Sequence, residues 1–323
     1  MSIAKPPAMV SLDLDNQWAY MRVHGDAGWE DFPSYLPRAV PRILHVLAAQ
    51  HLRITVFVVG QDAARDENGP AIASIAAAGH EIGNHSFEHL PWMKRHSEGA
   101  IEDELARTEE HILRLTRHQP VGFRGPGFGL SEPLLRVLAR RGYLYDATTF
   151  PTFIGPLARA MYFARARFDA QQAEQLHDLY GGLRDGLRPL RPYRWQLGQA
   201  QLLELPVTTC PLLRAPIHLS YLLYLAQFSR PLALGYFRLA LRLCRLTATP
   251  VSLLLHPTDF LGADEIPALA FFPGMQLSSD TKTALVQEVL ALLQASFDIL
   301  PLATYAQTRM QAGALPLTRP VFT

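Results

Sequence analysis

The chain has 323 residues, 49% hydrophobic and 18% charged, with 30 Lys and Arg against 29 Asp and Glu. That composition is globular rather than disordered, and a net charge of +1 gives no overall attraction to a polyanion, so no nucleic-acid role is expected. The length exceeds a minimal barrel, which predicts one large domain over 1–323 with an insertion at about 150–250 rather than a second core.

Met1 to Met9 holds no apolar core of signal-peptide length, and no uncharged apolar run reaches about 18 residues, so cytoplasmic placement is expected. An apolar strand starting near Met9 ends in Ser11-Leu12-Asp13-Leu14-Asp15. Strand side chains alternate, so Asp13 and Asp15 project from one face. Trp18, His24 and Trp29 follow in a long first loop beside Asp15. Pro37 to Gln50 has helical apolar spacing through Val40, Ile43, Leu44 and Leu47, and it leads into Ile54 to Val59, the β-branched run of a buried parallel strand. Residues 70–78 form an Ala-rich helix stopped by Gly79.

Next comes His85-Ser86-Phe87-Glu88-His89. Side chains four apart lie on one side of a turn or helix, so both imidazoles can grip one ion. With Asp15 they make a three-ligand set that leaves coordination positions open, as in a catalytic rather than a structural site. The plainer alternatives are a metal-free histidine pair and an Asp-x-Asp that caps a helix. Ser86 is expected to orient the histidine turn rather than to act as a nucleophile. Apart from these two and His256, the nine other histidines, including His80 and His118, are expected to be structural, with His24 near enough to Asp15 to contact substrate.

Ser97 caps a helix running to about Arg117, with Ile101, Leu105, Ile112 and Leu115 inward, and Ser131 caps another that Gly142 ends. Three short apolar runs then terminate in ionisable residues: Phe123-Arg124 before a Gly/Pro loop, Tyr143-Leu144-Tyr145-Asp146, and Val251 to His256 before Pro257. Five such runs separated by helical patterns suggest a parallel barrel with its chemistry at the carboxyl ends of the strands. Between Phe150 and Val251 lies the extra length. From Leu205 to Thr258 there is no Asp or Glu, and Arg238, Arg242 and Arg245 fall on one face of a helix over Leu232 to Leu246. Phe153 to Phe168, with Arg159, Tyr162, Phe163, Arg165 and Arg167, has a similar character. Two readings stand: helices that cover the barrel with solvated arginines, or a basic face for anionic membrane or a lipid-linked, phosphate-bearing sugar. Cys210 and Cys244 sit in apolar surroundings and are expected to be buried thiols.

The five segments resemble the motifs of the polysaccharide deacetylase family, the NodB-homology domain of carbohydrate esterase family 4. Asp13 and Asp15 match the first motif, His85, Ser86 and His89 the second, and Arg124, Pro126 and Phe128 the third, with Gly127 inserted before the ring. Asp146 and His256 match the fourth and fifth. The flanking Ala78 to Asn84 and Glu204-Leu205-Pro206 also match, so the resemblance spans about residues 8–305. It implies an α/β fold, a distorted TIM-like (β/α)7 barrel with a helical, Arg-rich insertion. It further implies one divalent metal, zinc first, with cobalt, nickel or manganese as alternatives, held by Asp15, His85 and His89. Asp13 would be the general base, oriented by Arg124, and His256 the acid, oriented by Asp146. An N–H near Phe128 would stabilise the oxyanion, and Trp18, Pro126 and Phe128 would contact substrate. The implied activity is hydrolysis of the amide of an N-acetylated amino sugar, including an intracellular or lipid-linked precursor. A deformylase or cyclic-amide hydrolase of the same family and a non-catalytic sugar-binding relative are the alternatives.

Overall fold

The computed structural model describes residues 5–155, 183–313 and 315–322. Nearly every apolar run that was read as a strand becomes one, because each is buried on both faces. β1 (Pro7–Asp13), β2 (Thr55–Val58) and β3 (Glu81–Asn84) carry the first two motifs to their carboxyl ends. Between them stand α1 (Gln17–His24), α2 (Leu36–Ala49), α3 (Gly60–Ala63) and α4 (Gly69–Ala77). α2 turns Val40, Ile43, Val46 and Leu47 inward, as its apolar spacing requires.

α5 (Glu98–Thr116) starts where the Ser97 hydroxyl accepts the Ala100 N–H, and α6 (Glu132–Arg140) where Ser131 accepts that of Leu134. The strands after them are short, β4 (Gly122–Phe123) and β5 (Tyr145–Asp146). β6 (Tyr193–Leu197) and β7 (Ala200–Glu204) form a hairpin, followed by α7 (Leu219–Ala226), α8 (Arg230–Leu246) and β8 (Val251–Leu255). The chain ends with α9 (Ser279–Ser296), β9 (Asp298–Leu300), α10 (Leu302–Gln311) and β10 (Leu317–Thr318).

The strand order β8-β1-β2-β3-β4-β5-β7 is parallel throughout. It closes into a seven-strand ring just past β7. There the Thr208 N–H donates to the Ser252 carbonyl at 3.0 Å, and the Ser252 N–H returns a bond to the Thr208 hydroxyl at 2.7 Å. The fold is therefore the expected α/β barrel. β6 and β10 extend the sheet outside the ring, and β9 pairs with the start of β1.

The interior is filled by Met9, Phe57, Tyr145 and Leu203, with Leu302 and Tyr305 of α10 packed in from the amino end. Gly122 is required there: a Cβ at that position would lie 2.0 Å from the Tyr145 ring. Glu81 seals the same end, accepting the Ala303 N–H at the start of α10 and hydroxyls from Thr55 and Tyr145.

The insertion differs from its sequence reading. β7, which lies inside the 150–250 interval, is a barrel strand, so only part of that interval is added to the ring. On α8, Arg238, Arg242 and Arg245 are exposed, and Arg230 and Arg238 lie 2.9 and 3.7 Å from Glu288 of α9. The stretch Phe153 to Phe168, with its Arg159, Tyr162, Phe163, Arg165 and Arg167, falls outside the described residues from position 156 onward. Both cysteines are buried and free. No described helix is long and apolar enough to cross a membrane.

Candidate metal centre and active site

β1 ends at Asp13, and Asp15 stands in the turn beyond it rather than on the strand. That turn is fixed from several sides. The Tyr35 hydroxyl donates to the Asp15 carbonyl at 2.6 Å, and Asn16 caps α1 while its amide donates to Asp62 at 2.7 Å.

The histidine turn is held as tightly. Ser86 and His89 both have left-handed backbone (φ 61° and 50°), a conformation that surrounding contacts must impose on residues other than glycine. Asn84 accepts the Ser86 N–H, Ser86 the His89 N–H, and Glu104 those of Phe87 and Glu88. Arg22 of α1 donates to the carbonyls of Glu88 and His89 at 2.6 and 2.7 Å. Burial lowers Arg22 to about 10, which still leaves it a cation. Ser86 thus orients the turn, as expected.

These constraints bring Asp15, His85 and His89 together. Asp15 Oδ1 lies 3.3 Å from His85 Nε2 and 3.0 Å from His89 Nε2, and the three prospective ligand atoms lie within 4.8 Å of one another. Yet that buried oxygen has no hydrogen-bond partner among the described residues. His85 Nδ1 faces the Arg124 carbonyl at 2.7 Å, which makes Nδ1 the protonated nitrogen and turns the Nε2 lone pair toward Asp15. Burial opposes ionisation of Asp15, but the adjacent His89 and His85 imidazoles outweigh it and hold the carboxyl well below its usual range. At His85 burial works downward and Asp13 and Asp15 outweigh it, whereas at His89 burial prevails and depresses the imidazole. An orphaned oxygen converging with two imidazole nitrogens fits a divalent cation, which needs an ionised carboxylate and neutral imidazoles.

Asp13 borders this cluster, its Oδ2 4.0 Å from His85 Nε2. Its other oxygen accepts from Arg124 Nη1 at 2.8 Å. Arg124 is fully buried: Nη1 also donates to Ser11, Nε donates to the Ala147 carbonyl at 2.9 Å, and the guanidinium lies 4.5 Å above the Phe57 ring. The expected partnership of Arg124 with Asp13 is present.

Other expectations need correction. Asp146 is not the group beside His256. It sits in register with Glu204 on adjacent strands and hydrogen-bonds with it, while the Thr148 hydroxyl donates to its Oδ1 at 2.5 Å. Burial and the Glu204 charge push Asp146 well above the usual carboxylate range. The carboxyl at His256 is Asp259, whose Oδ2 accepts the His256 N–H at 2.8 Å. Ser220 Oγ bridges the two, 3.2 Å from His256 Nδ1 and donating to Asp259 Oδ1 at 2.7 Å. Trp18 does not face the site. It is fully buried, and its indole N–H donates to Asp62 at 2.9 Å. Pro126 is buried beside the cavity without lining it, while Phe128 does line it. The Phe128 N–H itself donates to the Gly125 carbonyl at 3.2 Å.

Asp13, Asp15, His85, His89, Phe128 and His256 open onto one cavity of about 310 Å³. Sequence reasoning missed three neighbours. Asp259 is only three residues beyond His256, and that spacing was the available signal. Ser220 and His218 come from the insertion, where nothing local marked them. His218 lines the cavity, and burial lowers it to about 3.

A parallel barrel with an Asp-His-His cluster and a clamped carboxylate at its carboxyl end defines a metal-dependent hydrolase type of site. Residues 25–145 match the model of the family described as polysaccharide deacetylase. Over those residues the chain is similar to that family. Over 104 residues it is 29% identical to the peptidoglycan-N-acetylglucosamine deacetylase of Bacillus cereus, covering 32% of this chain and 37% of that one. It is 33% identical over 104 residues to the peptidoglycan-N-acetylmuramic acid deacetylase of Bacillus subtilis, covering 32% and 38%. The matches thus span about two fifths of these curated relatives. The crystal structure of a candidate polysaccharide deacetylase from Mycobacterium smegmatis superposes with a TM-score of 0.64 at 22% identity, covering 100% of this chain and 97% of that one, which establishes the shared fold.

Proposed function

We propose that the protein is a metal-dependent hydrolase that removes the acetyl group from an N-acetylated amino sugar. The observation that carries this is the buried Asp15 oxygen, 3.0 and 3.3 Å from two imidazoles without a hydrogen bond, beside the Arg124-clamped Asp13. The deacetylase names of its relatives supply the acyl group and substrate class. Asp15, His85 and His89 would hold the ion, and the nitrogen and oxygen donors favour zinc, with cobalt, nickel or manganese as alternatives. Such an ion, when bound, polarises an amide carbonyl and acidifies water.

The chain's own groups do the rest. With Oδ1 engaged by Arg124, Asp13 keeps Oδ2 free to accept the proton of the attacking water. The C–O bond forms as the C–N bond breaks. The departing amine takes its proton from His256 Nε2, because Nδ1 faces the Ser220 hydroxyl, itself committed to Asp259. In that chain Ser220 accepts from Nδ1–H, so an imidazolium at His256 is oriented by hydroxyl and carboxylate together.

The test is metal analysis of the purified protein with acetate and formate release from N-acylated amino sugars. Asp15→Ala, His85→Ala and His89→Ala should each lose bound metal and turnover together, and turnover that survives in a metal-depleted triple variant would sink the proposal. Formate outrunning acetate would favour the deformylase alternative. Unchanged biological activity in Asp13→Asn would favour a sugar-binding role.

We also propose a peripheral membrane contact through the insertion. Arg238, Arg242 and Arg245 share the exposed face of α8 with Leu232, Leu239 and Leu246, and this mixture of cations and leucines suits an anionic lipid surface.

A further inference from the structure

We infer that the substrate is an amphiphile whose hydrocarbon portion sits in the cavity beside the reacting amide. The inference rests on the deacylase reading of this site and narrows its substrate class. Beyond the metal cluster, the cavity is walled by Tyr20 and Val23 of α1, Tyr221 and Tyr224 of α7, and Phe271 and Phe272 from the loop before α9. Tyr20 meets Phe272 edge to face at 5.0 Å, and the His24 ring stacks on Phe271 at 3.5 Å, so the wall is packed rather than collapsed. Among the described residues, no Lys, Arg or Glu borders the cavity, and its only carboxylates are Asp13 and Asp15.

A run of sugar units would bring many hydroxyls against this wall. Burial of any left without partners is unfavourable, and among the described residues no Lys or Arg stands at this wall to meet a phosphate. A hydrocarbon gains instead, each buried methylene raising affinity roughly fourfold.

The apolar surface continues outward. Tyr224 packs edge to face on Phe228 at 5.4 Å, and Phe228 is 72% exposed. Pro216, which also borders the cavity, pairs with Thr209 across a turn whose Leu212 and Leu213 are 80% and 64% exposed. A chain too long for the cavity would therefore leave over leucine and phenylalanine rather than into open water.

The hydrocarbon can be attached on either side of the amide, and substrates separate the two cases. Octyl 2-acetamido-2-deoxyglucoside carries it on the amine half and N-octanoylglucosamine on the acyl half. The methyl glycoside of N-acetylglucosamine and penta-N-acetylchitopentaose carry none. At least one octyl compound should exceed the methyl glycoside in kcat/KM by on the order of thirtyfold or more. Tyr224→Ala and Phe272→Ala should each erase about tenfold of the octyl compound's advantage over the methyl glycoside.

Octyl glucoside, which has no amide, should bind with a negative heat-capacity change by calorimetry below its micellar concentration. Preference for the pentasaccharide, no gain from methyl through butyl to octyl, or no octyl glucoside binding would each overturn the inference. The tail-length series and the calorimetry use the wild-type protein, so a variant that fails to fold leaves the test intact. Absence of amide hydrolysis with every one of these substrates in the metal-loaded wild-type protein, with octyl glucoside still bound, would instead sink the deacylase reading and leave the tail preference standing.

Discussion

Arg124→Ala should separate the acid–base machinery from the metal cluster. The side chain is fully buried and donates hydrogen bonds to Asp13, Ser11 and the Ala147 carbonyl at 2.8, 2.7 and 2.9 Å. Removing it leaves Asp13, itself 4% exposed, as an uncompensated buried carboxylate. Breaking one side of a buried pair costs about 3–5 kcal/mol, which for a chain of this size lowers Tm by roughly 5–10 °C. Arg124→Met with Asp13→Asn removes both charges and should recover most of that stability without recovering activity. Turnover in either variant should fall on the order of a hundredfold or more, because the base is no longer oriented. Bound metal should persist, since His85 is oriented by the Arg124 main-chain carbonyl rather than by the guanidinium. Urea unfolding, acetate release and metal analysis measure the three effects. A loss below about 1 kcal/mol in Arg124→Ala, or metal lost in parallel with turnover, would refute the assignment of separate roles.

Three more outcomes are expected. Burial pushes Asp62 from 3.8 up to about 7 despite bonds from Asn16 and Trp18. The native chain therefore holds that proton more tightly than the unfolded chain, and the contribution is full below about pH 3.8 and lost as pH rises through about 7. The difference is worth about 4 kcal/mol, so Asp62→Asn should flatten the decline of the urea midpoint between about pH 4 and 8, and an unaltered slope would contradict it. Ser220→Ala should leave metal content unchanged and cut kcat by roughly ten- to a hundredfold, with the alkaline limb of the kcat profile displaced; wild-type kinetics would remove Ser220 from the His256 relay. Arg242→Glu with Arg245→Glu should weaken sedimentation with phosphatidylglycerol vesicles, and equal sedimentation would count against membrane contact through α8.

The parts of the site legible in the sequence are those at the carboxyl ends of barrel strands. Parallel strands deliver those ends to one face, so an apolar run followed by an ionisable residue suffices to find Asp13, His85, Arg124 and His256. Asp146 obeys the same pattern and misleads, because its carboxyl is taken by Glu204, register-paired across two strands distant in sequence. Trp18 misleads for a related reason: its indole is drawn inward by Asp62, 44 residues later. Which of two possible partners a buried polar group takes is a tertiary fact, and periodicity carries no information about it.

The insertion shows where local reasoning has the wrong scale. Its lack of Asp and Glu from Leu205 to Thr258 was read along the chain, as a basic surface. In space that stretch does three things: Thr208 closes the ring against Ser252, Pro216, His218, Tyr221 and Tyr224 wall the cavity, and α8 carries the exposed arginines. An acid at any of the wall positions would share the cavity with Asp13 and Asp15, where like charges disfavour ionisation. The absence of acids therefore has a site-level cause for the wall, independent of lipid. On α8, Arg230 and Arg238 lie 2.9 and 3.7 Å from Glu288 of α9, so the charge that the wall does not explain is that of the exposed Arg242 and Arg245.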